Sequence, residues 1–130
     1  MNFEELLKRA KDVRKNSYSP YSRFKVGAAL LCDSGKIYVG TNVENASYGA
    51  TLCAERSAVS AAVANGENKF TAIAIAGGSD KLEFCPPCGI CRQVLAEFAD
   101  RDFKVILCDE SDMKIFNLFD LLPESFTLKR

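Results

Sequence analysis

The apolar positions near the start of the chain recur at helical spacing, at Phe3, Leu6, Leu7, Ala10 and Val13. This spacing is typical of an amphipathic helix with one buried face. Asn2 stands directly before the pattern and is a suitable N-cap, because its side-chain oxygen can accept a hydrogen bond from a free backbone N–H of the first turn. The pattern predicts a helix over residues 2–16.

Two short apolar strands joined by a tight turn come next. Val26 to Leu31 and Lys36 to Gly40 have the length and aliphatic content of β-strands. Asp33-Ser34-Gly35 between them is a typical turn sequence. This part of the chain therefore predicts a β-hairpin.

Two further helices are predicted. Residues 52–64 are rich in alanine, and Asn65-Gly66 is a suitable helix end. The second runs from Cys88 to Ala99, with Pro87 at or near its first turn, where the missing N–H of proline does no harm.

Strand patterns alternate with these helices. Thr71 to Ala76 and Lys104 to Cys108 read as buried strands, and Met113 to Leu122 is ambiguous between a strand and a short helix. The alternation predicts an α/β fold, a three-layer α-β-α sandwich with a mixed β-sheet. A chain of 130 residues has the size of one domain, which we expect to span residues 1–130.

The charge of the chain limits the classes of partner that we expect. Seventeen basic residues balance seventeen acidic ones, and the basic residues are scattered along the sequence. This distribution does not favour nucleic-acid binding. No apolar run has the length of a membrane span. We therefore expect neither a nucleic acid, because of the charge distribution, nor a membrane as a partner.

The six cysteines are Cys32, Cys53, Cys85, Cys88, Cys91 and Cys108. The chain opens with a charged amphipathic pattern rather than a basic segment followed by an apolar run, so we expect no secretory signal. A chain of this size also folds without disulfides. We therefore expect a cytoplasmic protein with free thiols, in which Cys32 and Cys108 are small buried residues.

Two short segments carry the candidate chemistry, Cys53-Ala54-Glu55-Arg56 and Pro87-Cys88-Gly89-Ile90-Cys91-Arg92. Both fall at predicted helix starts, where free N–H groups and the helix dipole stabilise a thiolate. The sequence contains no histidine, and three thiolates with an open fourth position are a suitable ligand set for a catalytic zinc. The predicted ligands are Cys53, Cys88 and Cys91.

Alternatives to this site stay open. Cys85-Pro86-Pro87-Cys88 is also a C-x-x-C pair, but its two prolines prevent it from sharing a helical turn, and we interpret Cys85 as a thiol outside the site. A structural zinc knuckle would need a fourth ligand, and no histidine or suitably spaced cysteine supplies it.

Charged residues beside the ligands have candidate roles. A carboxylate in a first helical turn leans toward the helix N-terminus, so Glu55 can reach a water on the metal without ligating the metal. Three thiolates with zinc carry a net negative charge, which makes the metal a weaker acid unless positive groups draw charge from the sulfurs. We predict that Arg56 and Arg92 do so.

These residues resemble the cytidine deaminase family of small zinc nucleoside deaminases. The resemblance covers Ser19 to Ala29, Gly40 to Tyr48, both cysteine segments together with Gln93, and Leu121 to Phe126. It implies a cytidine deaminase-like fold, one zinc ion per subunit held by the three cysteines, and Glu55 as the proton shuttle.

The resemblance also implies a set of residues that bind the nucleoside. They are Phe24 against the pyrimidine ring, Asn42 and Glu44 on the ribose hydroxyls, the backbone around Ala54 on the base, and Tyr48 and Phe126 from neighbouring subunits of a homotetramer with shared active sites.

The implied reaction is hydrolytic deamination of cytidine and 2′-deoxycytidine to uridine and 2′-deoxyuridine in pyrimidine salvage. Glu55 would take a proton from a zinc-activated water and deliver protons to N3 and to the leaving amine. Two alternatives stay open: a related deaminase of a cytosine-containing antibiotic of the blasticidin type, and a non-catalytic protein that binds zinc and nucleosides.

Overall fold

A five-stranded mixed β-sheet forms the middle of the computed structural model, which describes residues 2–128. Its strands are β1 (Lys25–Cys32), β2 (Ile37–Thr41), β3 (Phe70–Gly78), β4 (Ala99–Cys108) and β5 (Met113–Asn117). The order across the sheet is β2-β1-β3-β4-β5. β3 pairs with β4 in parallel, and the other three pairings are antiparallel, so the predicted hairpin and mixed sheet are confirmed.

Within residues 2–128, three α-helices cover the sheet: α1 (Phe3–Arg14), α2 (Ala54–Ala64) and α3 (Gly89–Ala96). α1 packs on one face, whereas α2 and α3 lie side by side on the other. This arrangement confirms the three-layer α-β-α sandwich. None of the described helices is both long and apolar enough to span a membrane.

Each face of the sheet buries its own apolar cluster. Successive residues of β1 alternate between the two, as side chains on a strand must. Ala28 and Leu30 face the α2 side, and Ala29 and Leu31 face α1. The core therefore consists of two layers separated by the sheet.

The first helix is capped as predicted. The Asn2 side chain accepts hydrogen bonds from the backbone N–H groups of Glu4 and Glu5 at 3.0 and 3.2 Å. The helix ends at Arg14, before the predicted residue 16. Arg14 then donates from Nε to the carbonyl oxygen of Lys25 at 3.1 Å, which fixes the end of the helix to the start of β1.

The predicted boundary between α3 and β4 is wrong. α3 ends at Ala96 rather than at Ala99, and β4 begins at Ala99 rather than at Lys104. The ring of Phe98 packs on Phe70 with the ring centroids 4.7 Å apart, so the chain turns out of the helix to enter the sheet. The segment from Met113 to Leu122, which was ambiguous between a strand and a short helix, contains both in succession. It forms β5 and then a 3-10 turn over Leu118–Asp120.

α1 lies very close to β1 at Gly27. A Cβ at this position would lie 2.2 Å from the carbonyl oxygen of Ala10 and 2.7 Å from the backbone nitrogen of Arg14. Both neighbours are backbone atoms, so no side chain can move aside to make room. The absence of a side chain at residue 27 therefore sets the distance between helix and sheet.

Gly27→Ala is expected to lower the free energy of unfolding by about 1–3 kcal/mol, because the added methyl group forces α1 away from the sheet. Urea unfolding followed by circular dichroism measures the change. Gly49→Ala is the matched control, since a Cβ there meets nothing within 4 Å. Equal stability of the two variants would contradict the prediction.

Candidate active site

Three cysteine sulfurs come together where two helices begin. Cys53 is the N-cap residue of α2, Cys88 is the N-cap residue of α3, and Cys91 lies in the first turn of α3. Their Sγ atoms all lie within 4.8 Å of one another. Among the described His, Cys, Asp and Glu side chains, these form the one group of three or more that is arranged to hold a metal ion.

The donor set fits zinc. Zn–S bonds of about 2.3 Å in tetrahedral geometry place sulfurs about 3.8 Å apart, so small side-chain shifts would close this site around the ion. Both helix starts bring free N–H groups and the positive end of the helix dipole next to the sulfurs, which favours thiolates. Three sulfurs leave one tetrahedral position without a protein ligand, as a catalytic zinc requires.

The thiols of Cys53 and Cys91 have pKa values shifted in opposite directions. A hydrogen bond from the Cys91 thiol lowers the pKa of Cys53, against the effect of burial, and the Arg56 guanidinium lowers it further. The same sulfur–sulfur hydrogen bond raises the pKa of Cys91, and burial raises it too. Cys53 therefore becomes a thiolate more readily than Cys91.

Arg56 brings positive charge to that thiolate. Its Nη2 lies 3.5 Å from Cys53 Sγ and 3.3 Å from the carbonyl oxygen of Thr51. Its Nε is buried and has no hydrogen-bond partner among the described residues, so one further donor is available beside the sulfurs. The position of Arg56 suits its predicted role in drawing charge from the ligands, and that role stays a prediction.

Arg92 donates hydrogen bonds to two backbone carbonyl groups, and its predicted role in drawing charge from the ligands stays a prediction. Its Nε donates to the carbonyl oxygen of Pro87 at 2.7 Å and its Nη1 to that of Leu121 at 2.6 Å. None of its hydrogen bonds to described residues reaches a sulfur. Because two carbonyl groups hold the guanidinium, Arg92 braces the segment before Cys88 against the C-terminal part of the chain.

Glu55 is a buried carboxyl beside the three sulfurs. It lies in the first turn of α2 and is 5% exposed. Burial raises the pKa of its carboxyl to about 7, and the nearby Cys53 thiolate also raises it. A carboxyl that titrates near neutrality is suited to both taking and giving a proton.

A cavity of about 240 Å³ opens at the sulfurs and the carboxyl. Its lining residues are Phe24, Val26, Asn42, Thr51, Leu52, Cys53, Ala54, Glu55, Cys85, Pro86 and Cys88. Much of the wall is apolar, and the polar groups gather near Glu55 and Asn42. A larger groove of about 490 Å³ lies around Phe70 and Asp100, at the other end of β3 and away from the sulfurs.

Cys85 belongs to the cavity wall, which its sequence context did not indicate. It stays outside the three-sulfur group, in agreement with its interpretation as a thiol outside the metal site. Burial raises its pKa to about 12, so it remains a neutral thiol. Its Sγ and the Phe24 ring pack together over Gly77, where a Cβ would lie 2.9 Å from the sulfur and 3.2 Å from the ring.

Asn42 and Glu44 hold the loop between α1 and β1. Asn42 Nδ2 donates to the carbonyl oxygen of Phe24 at 2.8 Å. Glu44 Oε1 accepts from the backbone N–H groups of Tyr21 and Ser22 at 3.0 and 3.1 Å, and Glu44 Oε2 accepts from the Ser22 hydroxyl. These contacts, foremost the one from the Ser22 hydroxyl, lower the pKa of the Glu44 carboxyl.

Tyr48 and Phe126 lie outside the cavity of the single chain. Tyr48 is 80% exposed in a 3-10 turn over Tyr48–Ala50, and Phe126 is 67% exposed in the C-terminal segment. Gln93 Nε2 donates to the carbonyl oxygen of Phe126 at 2.9 Å, so this segment is tied to α3. Exposed rings are what a contribution to a neighbouring subunit requires, and that contribution stays a prediction.

Together, the α-β-α sandwich, the three-sulfur zinc site and the buried carboxyl at an apolar cavity define a zinc-dependent hydrolytic enzyme. Residues 1–107 match the family model described as the cytidine and deoxycytidylate deaminase zinc-binding region. The chain belongs to this family, as the resemblance of its motifs predicted.

Relatives and solved structures match nearly the whole chain. It is 45% identical over 128 residues to the cytidine deaminase of Halalkalibacterium halodurans, which covers 98% of this chain and 96% of that protein. It is 44% identical over 130 residues to the probable cytidine deaminase of Dictyostelium discoideum, with 98% and 87% covered. The crystal structure of cytidine deaminase from Burkholderia pseudomallei matches with a TM-score of 0.89 at 43% identity, covering 97% of this chain and 100% of that one.

Arg56→Gln is expected to weaken zinc binding about 10- to 100-fold, because the charge on the thiolates loses its nearest positive partner. Competition with a chromophoric chelator measures the affinity. Arg9→Gln, on the exposed side of α1, is the matched control and should bind zinc like the wild type. Unchanged zinc affinity and turnover in Arg56→Gln would rule out this role.

Proposed function

We propose that this chain catalyses the hydrolytic deamination of cytidine and 2′-deoxycytidine to uridine and 2′-deoxyuridine with release of ammonia, a step of pyrimidine salvage. Membership of the cytidine and deoxycytidylate deaminase family supports the proposal. The observation that carries it is geometric: the buried Glu55 carboxyl lines the same cavity as Cys53 and Cys88, and the aromatic ring of Phe24 forms another part of the wall.

The zinc ion, held by Cys53, Cys88 and Cys91, would supply the Lewis acidity that makes hydroxide available at neutral pH. A carboxylate oxygen of Glu55 takes a proton from the attacking water and delivers it to N3 of the base while oxygen adds to C4. The same carboxylate then takes the remaining proton from the hydroxyl added at C4 and passes it to the exocyclic nitrogen. The C4–N bond breaks as the C4=O bond forms, and ammonia leaves. A pKa near neutrality suits transfer in both directions.

The cavity wall provides contacts for a flat base with a sugar attached. Phe24 packs against the pyrimidine, and the backbone around Ala54, at the start of α2, contacts the polar edge of the base. Asn42 in the cavity wall and Glu44, which lies outside the lining of the single chain, take the ribose hydroxyls. Each keeps some hydrogen-bonding capacity beyond the loop contacts described above.

Glu55→Gln is expected to keep its zinc but to lose about 10²–10⁴-fold in kcat, because an amide cannot shuttle the proton. Ammonia release from cytidine and the zinc content of the purified protein measure the two effects. In the wild type, a chelator should stop ammonia release and added zinc should restore it.

The same assay separates the alternatives. Near-normal turnover in Glu55→Gln would refute the assignment of the proton shuttle. A wild type that binds zinc and cytidine but releases no ammonia would be a non-catalytic binding protein. Faster ammonia release from a cytosine-containing antibiotic than from cytidine would indicate the related antibiotic deaminase.

The proposed working form is a cytoplasmic homotetramer of single domains spanning residues 1–130, with active sites shared between subunits. The exposure of Tyr48 and Phe126 supports this form, because large aromatic rings in solvent are candidates for burial against another subunit.

Refolding Phe126→Ala subunits together with Glu55→Gln subunits is expected to give more activity than the two variants refolded apart. Some sites then receive Glu55 from one subunit and Phe126 from another, both intact. Ammonia release measures the gain, and light scattering gives the number of subunits. Two different Glu55 variants refolded together are the control and should show no gain; a fully active monomer would contradict shared sites.

A further inference from the structure

Ser22 stands in the middle of a chain of hydrogen bonds between Phe24 and Glu44. The backbone N–H of Phe24 donates to Ser22 Oγ at 3.0 Å, and the Ser22 hydroxyl donates to Glu44 Oε2. The Ser22 hydroxyl proton points at the Glu44 carboxylate, and a lone pair on Ser22 Oγ accepts the N–H of Phe24. These two contacts fix the orientation of the hydroxyl. Hydrogen bonds joined in this way polarise and strengthen one another.

The two oxygens of Glu44 are not equally available to a ligand. Oε1 accepts from two backbone N–H groups, those of Tyr21 and Ser22, which occupies its acceptor sites. Among the described residues, Oε2 accepts a hydrogen bond from Ser22 alone. A sugar hydroxyl that binds Glu44 must therefore donate to the same oxygen that Ser22 already holds.

The backbone between Ser22 and Phe24 is held in an uncommon conformation. Arg23 has a φ of +60°, in the left-handed region that residues other than glycine seldom adopt. Such a conformation persists where surrounding contacts impose it. The Arg23 N–H donates to the carbonyl oxygen of Ser19 at 2.9 Å, and the hydrogen bonds of Ser22 and Glu44 hold the backbone on either side. Loss of the Ser22 and Glu44 contacts would loosen this part of the loop and shift the Phe24 ring at the cavity.

The geometry points to Ser22 as a positioning residue that fixes Glu44 Oε2 and the ring of Phe24 relative to each other. One hydroxyl then sets both the ribose contact and the packing on the base. This inference rests on the proposed function, in which Glu44 binds the ribose and Phe24 the pyrimidine. Ser22 donates to Glu44 and accepts from Phe24, and it acts through these two neighbours; of the three residues, Phe24 lines the cavity of the single chain.

Ser22→Ala is expected to raise KM for cytidine about tenfold, the scale of one lost hydrogen bond to a charged group. The value of kcat should stay within about threefold and the zinc content unchanged, because the proton shuttle and the ligands are not touched. Ser22→Thr keeps the hydroxyl and should restore most of the affinity. Ser111→Ala, in the exposed turn after β4, is the matched control and should behave like the wild type.

A double-mutant cycle with Glu44→Gln tests whether Ser22 acts through Glu44. The penalty of Ser22→Ala on kcat/KM should be clearly smaller in the Glu44→Gln background than in the wild type, because the carboxylate that the hydroxyl holds is already gone. Additive penalties, or an unchanged KM in Ser22→Ala, would overturn the inference. So would a failure of Ser22→Thr to restore affinity while its melting temperature equals that of the wild type.

Amide hydrogen exchange gives a readout that needs no substrate. Exchange of the Phe24 N–H should become faster in Ser22→Ala and also in Glu44→Gln, and stay unchanged in Ser111→Ala. If wild-type protein released no ammonia from cytidine, the proposed function would fail while the exchange data still decided the role of Ser22. Unchanged Phe24 exchange in both variants would overturn that role even in an active enzyme.

Discussion

The site depends on one constraint, that the first turns of α2 and α3 meet on the same face of the sheet. Cys53 is far from Cys88 and Cys91 in sequence, and the sulfurs come within 4.8 Å of one another because the two helices start side by side. Close approach of α2 to the sheet is part of this, since a Cβ at Gly40 would lie 2.4 Å from the backbone nitrogen of Ala58. Clustered thiolates repel one another, and the free N–H groups of both helix starts favour the charged form. The Arg56 guanidinium, with Nη2 3.5 Å from Cys53 Sγ, brings positive charge to the same place.

The sequence predicted the features that depend on interactions between residues close together in the chain. Asn2 caps the first helix, the cysteine segments lie at helix starts, and the hairpin forms as its turn residues indicate. The end of α3 was wrong because helical spacing continues through Phe98, whereas the contact of that ring with Phe70 is a tertiary one. The hydrogen bonds of Arg92 could not be predicted for the same kind of reason, since the Leu121 carbonyl group that it contacts comes from a distant part of the chain.

The substrate-binding residues show a further limit of sequence reasoning. The resemblance assigned Asn42 and Glu44 to the sugar, yet the structure gives both a second task in holding the loop that carries Phe24. Nothing in residue type or spacing distinguishes a side chain with one task from a side chain with two. The place of Cys85 in the cavity wall could not be predicted from the sequence either. Cys85 packs there because Gly77 of β3 has no side chain to occupy the space.

This double use limits how substrate preference can change. In the proposed mode of binding, a substitution at Asn42 or Glu44 would alter the sugar contact and, through the loop that both side chains hold, the position of the Phe24 ring. The two effects could then not be varied separately. Cys85 is a neutral thiol outside the ligand set, and it meets the cavity and the Phe24 ring through packing rather than through hydrogen bonds. A substitution at residue 85 therefore changes the shape of the cavity wall next to that ring, without removing a metal ligand or a hydrogen bond of the loop.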